Sequence, residues 1–345
     1  MKKHILLLKI TVTGLFLWIL LFKIQWTDLG RVFRDVKPGY VLASVLLSFV
    51  LVATSCWKWW AILRMQGHRL PFLTLYRWYF IGYFYTNFLP SSIGGDLFRS
   101  WISGRKIGSQ EASLVAIFAE RFTGMVFLLL MVAISPLLLP SLRGRLELAI
   151  PSVMAGVLLA GFAVVPFLAR SGRPARLAAR GVGWLRRMLR ADRPGRTATL
   201  LDKLQRRITS FSSRAAKFFT LLRANPRNFW TVAALTALFY AFTVANIVIS
   251  CRAFGGDPDP LAVAAVLPAA LLVASLPITL GSLGLAEGAY VFYFGAIGLP
   301  GAITLAMALL LRLKIIFLGL IGLVIQARER IQPPTPSRFD GASQP

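Results

Sequence analysis

Histidine and cysteine are almost missing from this chain, with two of each in 345 residues. Cys56 and Cys251 lie far apart, and His4 and His68 have no ligand-type neighbours, so neither a disulfide framework nor a metal site can be read from the spacing. Redox and metal chemistry are not expected, and no cofactor is implied. Acidic residues are the next shortage: 13 Asp and Glu stand against 39 Lys and Arg, a formal balance of +26. In a soluble chain that excess would suggest nucleic acid, but only 15% of residues are charged and no nucleic-acid motif is present. The bulk of the chain is apolar instead, with 57% hydrophobic residues and a mean hydropathy of +0.67. That is too apolar for one soluble core and fits an all-α, polytopic membrane protein with basic cytoplasmic loops facing anionic lipid.

Apolar runs lie near residues 5–24, 40–62, 71–90, 113–139, 149–169, 229–250, 260–280, 285–299 and 301–325. The first follows Lys2 and Lys3 like a secretory signal, but it is long, carries Lys9 and has no small-residue cleavage site, so it reads as an uncleaved span. Basic flanks then decide sidedness. Arg64, Arg69 and Arg77 precede the 71–90 run and Arg99, Arg105 and Lys106 follow it, so both its ends prefer the cytoplasm and it enters and returns. The same rule puts Arg223, Arg227, Arg328 and Arg330 inside and the loop CRAFGGDPDP outside, so the stretch from 260 to 299 enters and returns from the other face. The expectation is six full spans plus two re-entrant or broken hairpins, with both termini cytoplasmic in a bacterial plasma (inner) membrane.

The two halves echo each other. Tyr40 to Pro90 is 50 residues and Phe229 to Pro277 is 48; Pro90 to Ser113 is 23 and Pro277 to Gly301 is 24. By the sidedness above, the repeats run in opposite directions, an arrangement found in transporters that bind their substrate where the interruptions meet. The domain reading follows: 1–169 as the first membrane half with its hairpin at 71–106, 170–228 as a basic linker, 229–327 as the second half with its hairpin at 258–299, and 328–345 as a tail of disordered composition.

The stretch NFLPSSIGGDLFR, residues 87–99, places a proline and two glycines inside an apolar context. Pro90 removes a backbone donor, and Gly94 and Gly95 permit a tight reversal, so backbone groups lose their helical partners. In hydrocarbon such a break is tolerated only in protein or beside a polar cavity. Asn87, Ser91 and Ser92 offer partners, and a helix starting after the glycines would turn its N-terminal end toward an anion. A turn at the inner surface would use the same residues.

Asp96, Glu120, Arg121, Glu287, Arg312 and Lys314 fall in or beside apolar stretches, where an ionisable side chain needs a partner. Glu120 and Arg121 point about 100° apart on a helix, so each must find its partner elsewhere. Asp96, Arg99, Glu120, Arg121, Glu287 and Arg312 form the expected polar network, with structural ion pairing as its plainer reading. Lys58, within CWKWW, reads as an interfacial anchor that snorkels to water, and Tyr76, Trp78, Tyr79, Tyr83 and Tyr85 read as belt or hairpin packing. In the linker, Leu201, Leu204, Ile208, Phe211, Ala215, Phe218 and Leu222 make an apolar stripe with Lys203, Arg207, Arg214 and Lys217 off it, so the segment 200–223 is expected on anionic inner-leaflet lipid. A coiled-coil partner would use the same spacing.

NFLPSSIGGDLFR, AERFTGM at 119–125 and LPITLGSLGLAEGAY at 276–290 together resemble the signature stretches of the flippase-like family that includes the transmembrane region of bacterial lysylphosphatidylglycerol synthase. The resemblance covers most of the chain; it departs at Gly281-Ser282-Leu283-Gly284, where two adjacent glycines are expected. It implies a helix bundle that moves a lipid headgroup between leaflets, with Asn87, Pro90, Gly94, Gly95, Asp96, Arg99, Glu120, Arg121, Gly284 and Glu287 as functional or site-shaping positions. It does not imply aminoacyl transfer, since no room remains in these 345 residues for a soluble synthase domain.

Three functions compete. The first is a lipid flippase or transporter for a phospholipid or glycolipid, binding through Asn87, Ser91, Ser92, Gly94, Gly95, Asp96, Arg99, Glu120, Arg121, Gly284, Glu287 and Arg312. The second is an integral-membrane transferase on a lipid-linked substrate, whose local support is the Asp257-x-Asp259 pair, a spacing able to hold a divalent cation. The third is a non-transporting anchor for a lipid-modifying enzyme. No catalytic motif is found, and an enzyme is not expected.

Overall fold

The computed structural model describes residues 11, 13–15, 26–88, 94–138, 146–170, 214, 216–222, 224–276, 278–329 and 331. Among these the chain is all helical: α1 Trp26–Arg34, α2 Pro38–Met65, α3 Phe72–Phe88, α4 Gly94–Ile107, α5 Gln110–Leu138, α6 Leu146–Arg170, α7 Pro226–Arg252, α8 Pro260–Ala274, α9 Leu285–Gly295 and α10 Gly301–Glu329. A short 3-10 turn, Leu280–Ser282, stands between α8 and α9.

Proline starts three of these helices, where its missing N–H costs nothing and its fixed φ suits the first turn. Asn225 caps α7 by accepting from Arg227 N–H at 2.9 Å, and Asp259 caps α8 by accepting from Leu261 N–H and Ala262 N–H at 3.3 and 3.1 Å. Asp257 pairs with Arg252 at 2.7 Å. The Asp257-x-Asp259 spacing is thus accounted for by an ion pair and a helix cap.

Helices α2, α5, α7 and α10 are long and apolar enough to cross a bilayer. Helix α6 runs 25 residues, with a described apolar stretch at 148–162. Helix α8, with 15 residues, reaches about 22 Å, short of the roughly 30 Å hydrocarbon core. Of the expected first span at 5–24, only residues 11 and 13–15 are described, and they are helical; the tail beyond 331 lies outside the described residues.

Helices α2 and α7 form a central antiparallel pair. Ser44 near the start of α2 meets Asn246 and Ser250 near the end of α7, while Lys58 late in α2 meets Thr236 early in α7. Helix α3 runs antiparallel along α10, tied by Arg77 to Glu329 at 3.2 Å, Gln326 to the Tyr85 hydroxyl at 2.8 Å and Asn87 Nδ2 to the Ile315 carbonyl at 2.8 Å. Helix α8 packs on α5, and the hairpins α3–α4 and α8–α9 each lean on the long helix that follows. Polar side chains are the natural link here, because lipid tails give apolar helix faces little reason to prefer each other. Three apolar clusters result among the described residues: one built on Trp59, Ile62, Leu75, Ile81 and Phe98 in the first half, one on Val266, Leu267, Phe294 and Met307 in the second, and a small one of Leu129, Val132 and Ala155 between α5 and α6.

Two expectations are corrected. Lys58 is not an interfacial anchor: it is 5% exposed and its ammonium lies inside the bundle. The apolar stripe of the linker lies mostly outside the described residues, but at its described end Phe218 is buried to 1% in the first core and Phe219 meets Phe122 edge-on, so this part of the stripe faces protein. Lys217, off the stripe, pairs with Glu111 at the start of α5.

Candidate functional site

The first site is built on α4. The carboxylate of Asp96, at the third residue of this helix, sits where the N-terminal dipole favours negative charge. It accepts from Arg99 Nη2 at 2.6 Å, one turn on, and from Arg121 of α5 through Nε and Nη2 at 2.8 and 2.9 Å. Arg99 is 2% exposed and bridges onward to Glu120 at 2.9 Å. Its guanidinium also lies over the Tyr79 ring, 4.2 Å from the centroid, and over Trp59 at 5.1 Å. Tyr79 closes the circuit by donating its hydroxyl to Glu120 at 2.5 Å. Glu120 and Arg121, sequence neighbours on diverging faces, thus bind different partners, as their angular separation requires. Arg121 remains 62% accessible at the side chain, whereas Arg99 and Glu120 are sealed in.

Close packing holds α4 in place. A Cβ on Gly95 would lie 2.3 Å from the Gly82 carbonyl oxygen and 2.3 Å from Thr86 Oγ1, so only glycine lets α4 approach α3 this closely. Asn87 is turned to α10, as described, and Gly94 is buried at the start of α4. Pro90, Ser91 and Ser92 lie outside the described residues.

The second site repeats one part of the first. Glu287 is the third residue of α9, as Asp96 is of α4, and it accepts from Arg312 Nε at 2.6 Å. Each pair spans 25 residues and joins a carboxylate on the short helix to Nε of an arginine on the following long helix. Here the rest of the satisfaction comes from backbone. Gly284 N–H donates to the other Glu287 oxygen at 2.8 Å, and Arg312 reaches the carbonyls of Gly281 and Ser282 at 3.3 and 3.4 Å. Gly281 and Ser282 have φ of 56° and 57°, so the reversal is left-handed at two successive residues, one of them not glycine.

Two buried lysines complete the polar interior. Lys314 of α10 donates to Ser44 Oγ at 2.5 Å, Asn246 Oδ1 at 2.6 Å and Ser250 Oγ at 3.2 Å. Lys58 lies beside the first site, its nearest polar partner being Thr236 Oγ1 at 3.5 Å. Sequence reasoning marked Lys314 as out of place without finding its partners, and it read Lys58 as an interfacial anchor and Tyr79 as belt or hairpin packing. The signal for Lys58 was available: it is the one charge between Lys37 and Arg64.

The chain matches the family described as the lysylphosphatidylglycerol synthase TM region over residues 6–322. It belongs to that family. Two relatives from Methanothermobacter thermautotrophicus, strain Delta H, each named UPF0104 membrane protein, cover nearly the same length: one is 21% identical over 285 residues, 81% of this chain and 82% of that protein, the other 22% over 305 residues, 86% and 85%. Membership in the TM-region family makes this a membrane protein, and the four long apolar helices are consistent with several crossings. The charged residues of both sites fall within the matched range, so the ion-pair networks belong to the membrane region itself.

Proposed function

We propose that this protein is a lipid flippase or transporter, in which a polar or charged headgroup enters a midplane polar site between the two breaks while the acyl tails stay in lipid. The observation that carries it is the duplicated pair: Asp96–Arg121 and Glu287–Arg312, each 25 residues apart, each on the third residue of a short helix. Around these pairs the helices have corresponding neighbours in the two halves, and the first helices of the halves, α2 and α7, run antiparallel. These features support an inverted repeat with interrupted helices, six full spans and two re-entrant hairpins, the architecture that lets a membrane protein expose one site alternately to two faces. Asn87, Ser91, Ser92, Gly94, Gly95, Asp96, Arg99, Glu120, Arg121, Gly284, Glu287 and Arg312 form or shape the site in this reading. The excess of basic residues in the 170–228 linker supports cytoplasmic termini and an inner-membrane location.

Charge at these pairs is then required for movement more than for folding. In proteoliposomes carrying a headgroup-labelled phospholipid, the wild type speeds exchange between leaflets, and Asp96→Asn or Glu287→Gln returns it to the protein-free rate while the purified variants stay folded. Exchange at the wild-type rate in both folded variants would sink the proposal.

A further inference from the structure

The two buried lysines are satisfied very differently. Lys314 has three oxygen partners, which matches the three donors of an ammonium. Lys58 has one hydrogen bond among the described residues, to Thr236 at 3.5 Å, the outer limit for such a bond. Its Nζ faces Gly124, 3.9 Å from where a Cβ there would lie, on the turn of α5 that follows Glu120 and Arg121. Tyr240, which reaches this turn from α7, is committed to the Gly124 carbonyl at 2.9 Å. Lys58 also lies within electrostatic reach of Glu120, Arg121 and Arg99.

The charges of this cluster do not balance. Lys58, Arg99 and Arg121 are three cations facing two carboxylates, and both carboxylates are engaged elsewhere: Asp96 with two arginines, Glu120 with Arg99 and Tyr79. The surplus positive charge therefore rests on the least satisfied group. Arg121 supplies a second open donor, because Nε and Nη2 are on Asp96 while Nη1 makes no hydrogen bond among the described residues. Burying an ammonium with so little compensation is costly, and an anion removes the cost. An ammonium and an open guanidinium nitrogen both suit a tetrahedral oxyanion, the geometry of phosphate.

We propose that Lys58 is a binding residue for the phosphate of a lipid headgroup, with Arg121 Nη1 as the second donor. The lipid source of that phosphate rests on the transport reading above; the anion site itself rests on the charge imbalance and the open donors.

The test titrates the purified full chain in mild detergent with dioctanoyl phosphatidic acid, with dioctanoylglycerol, which has the same tails and no phosphate, and with inorganic phosphate, following thermal unfolding and native mass spectra. Phosphatidic acid should raise the unfolding temperature of the wild type and dioctanoylglycerol should not. Lys58→Met should weaken phosphatidic acid binding on the order of tenfold to a hundredfold, and Lys58→Arg should retain most of it. Without ligand, Lys58→Met should unfold at a higher temperature than wild type, since it removes the poorly satisfied charge; a purely structural lysine would show the reverse, with lipid affinity unchanged. Lys58→Gln repeats the measurement if the methionine variant does not fold. Equal binding of phosphatidic acid by wild type and folded Lys58 variants overturns the proposal and leaves the transport reading to its liposome test. Inorganic phosphate matching the lipid overturns the lipid source. Lysine-dependent lipid binding without exchange in liposomes would sink transport and leave this site standing.

Discussion

At the break between α3 and α4, Asp96 serves two arginines, and one of these serves a second carboxylate that is also held by a tyrosine. At the break between α8 and α9, Glu287 serves one arginine and one backbone N–H, and the arginine turns its remaining donors to two backbone carbonyls. The same carboxylate–guanidinium pair, at the same 25-residue spacing, is thus stabilised by side chains in one half and by the turn itself in the other. The difference shows what each break depends on. A side-chain network is most vulnerable where a sealed charge would lose its opposite charge, as Glu120 would without Arg99. A backbone-supported pair keeps part of its satisfaction whichever side chain is changed.

Removing the central arginine of each site should give the widest separation between them. Arg99→Met strands Glu120 beside one tyrosine in a sealed environment and should cost about 3–5 kcal/mol, enough to abolish accumulation of folded protein. Arg312→Met leaves Glu287 with the Gly284 N–H, and the arginine it replaces is already 27% accessible, so the cost should be nearer 1–3 kcal/mol. Unfolding of both variants in mild detergent checks the order; equal losses would mean the two pairs are supported alike.

The glycines should separate the breaks by mechanism at a smaller cost. Gly95→Ala drives a Cβ into the Gly82 carbonyl and should cost about 1–3 kcal/mol, with Gly95→Asn worse still. Gly281 has open space around it and a left-handed φ of 56°, so Gly281→Ala should cost about 1–2 kcal/mol while Gly281→Asn, better suited to that conformation, recovers most of the loss. Asparagine rescuing position 95, or failing at 281, would reverse the assignment of collision to one break and backbone conformation to the other.

How far these features were legible in the sequence differs by kind. Apolar runs of sufficient length marked the long helices, because α2, α5, α7 and α10 must each be apolar almost throughout. Glu287 and Arg312 were legible as network members because each is a costly charge in an apolar context. That Glu120 and Arg121 must part company followed from helix geometry, but their partners did not, since only the fold of α3 and α4 brings Asp96, Arg99 and Tyr79 to α5. Lys58 was misread for a definite reason. Its tryptophan neighbours and its place near the end of an apolar run satisfy the snorkelling pattern, and only the crossing of α7 buries it. The end of the linker's apolar stripe failed likewise, because lipid and protein demand the same spacing of Phe218 and Leu222.

The finest test of the comparison uses one hydroxyl at each site. Tyr79 donates to Glu120 at 2.5 Å, so Tyr79→Phe removes a bond to a buried carboxylate while keeping the ring that lies under Arg99. The loss should be about 1.5 kcal/mol, at the low end for hydrogen bonds to charged groups. Tyr290 is buried near Glu287, but no hydrogen bond joins them, since the carboxylate is filled by Arg312 and Gly284. Tyr290→Phe should therefore stay within about 0.5 kcal/mol of wild type. Parallel unfolding curves of the two variants read the contrast directly. A large loss at Tyr290 would mean that the second carboxylate also leans on side chains, and the distinction between the two breaks would then be one of degree.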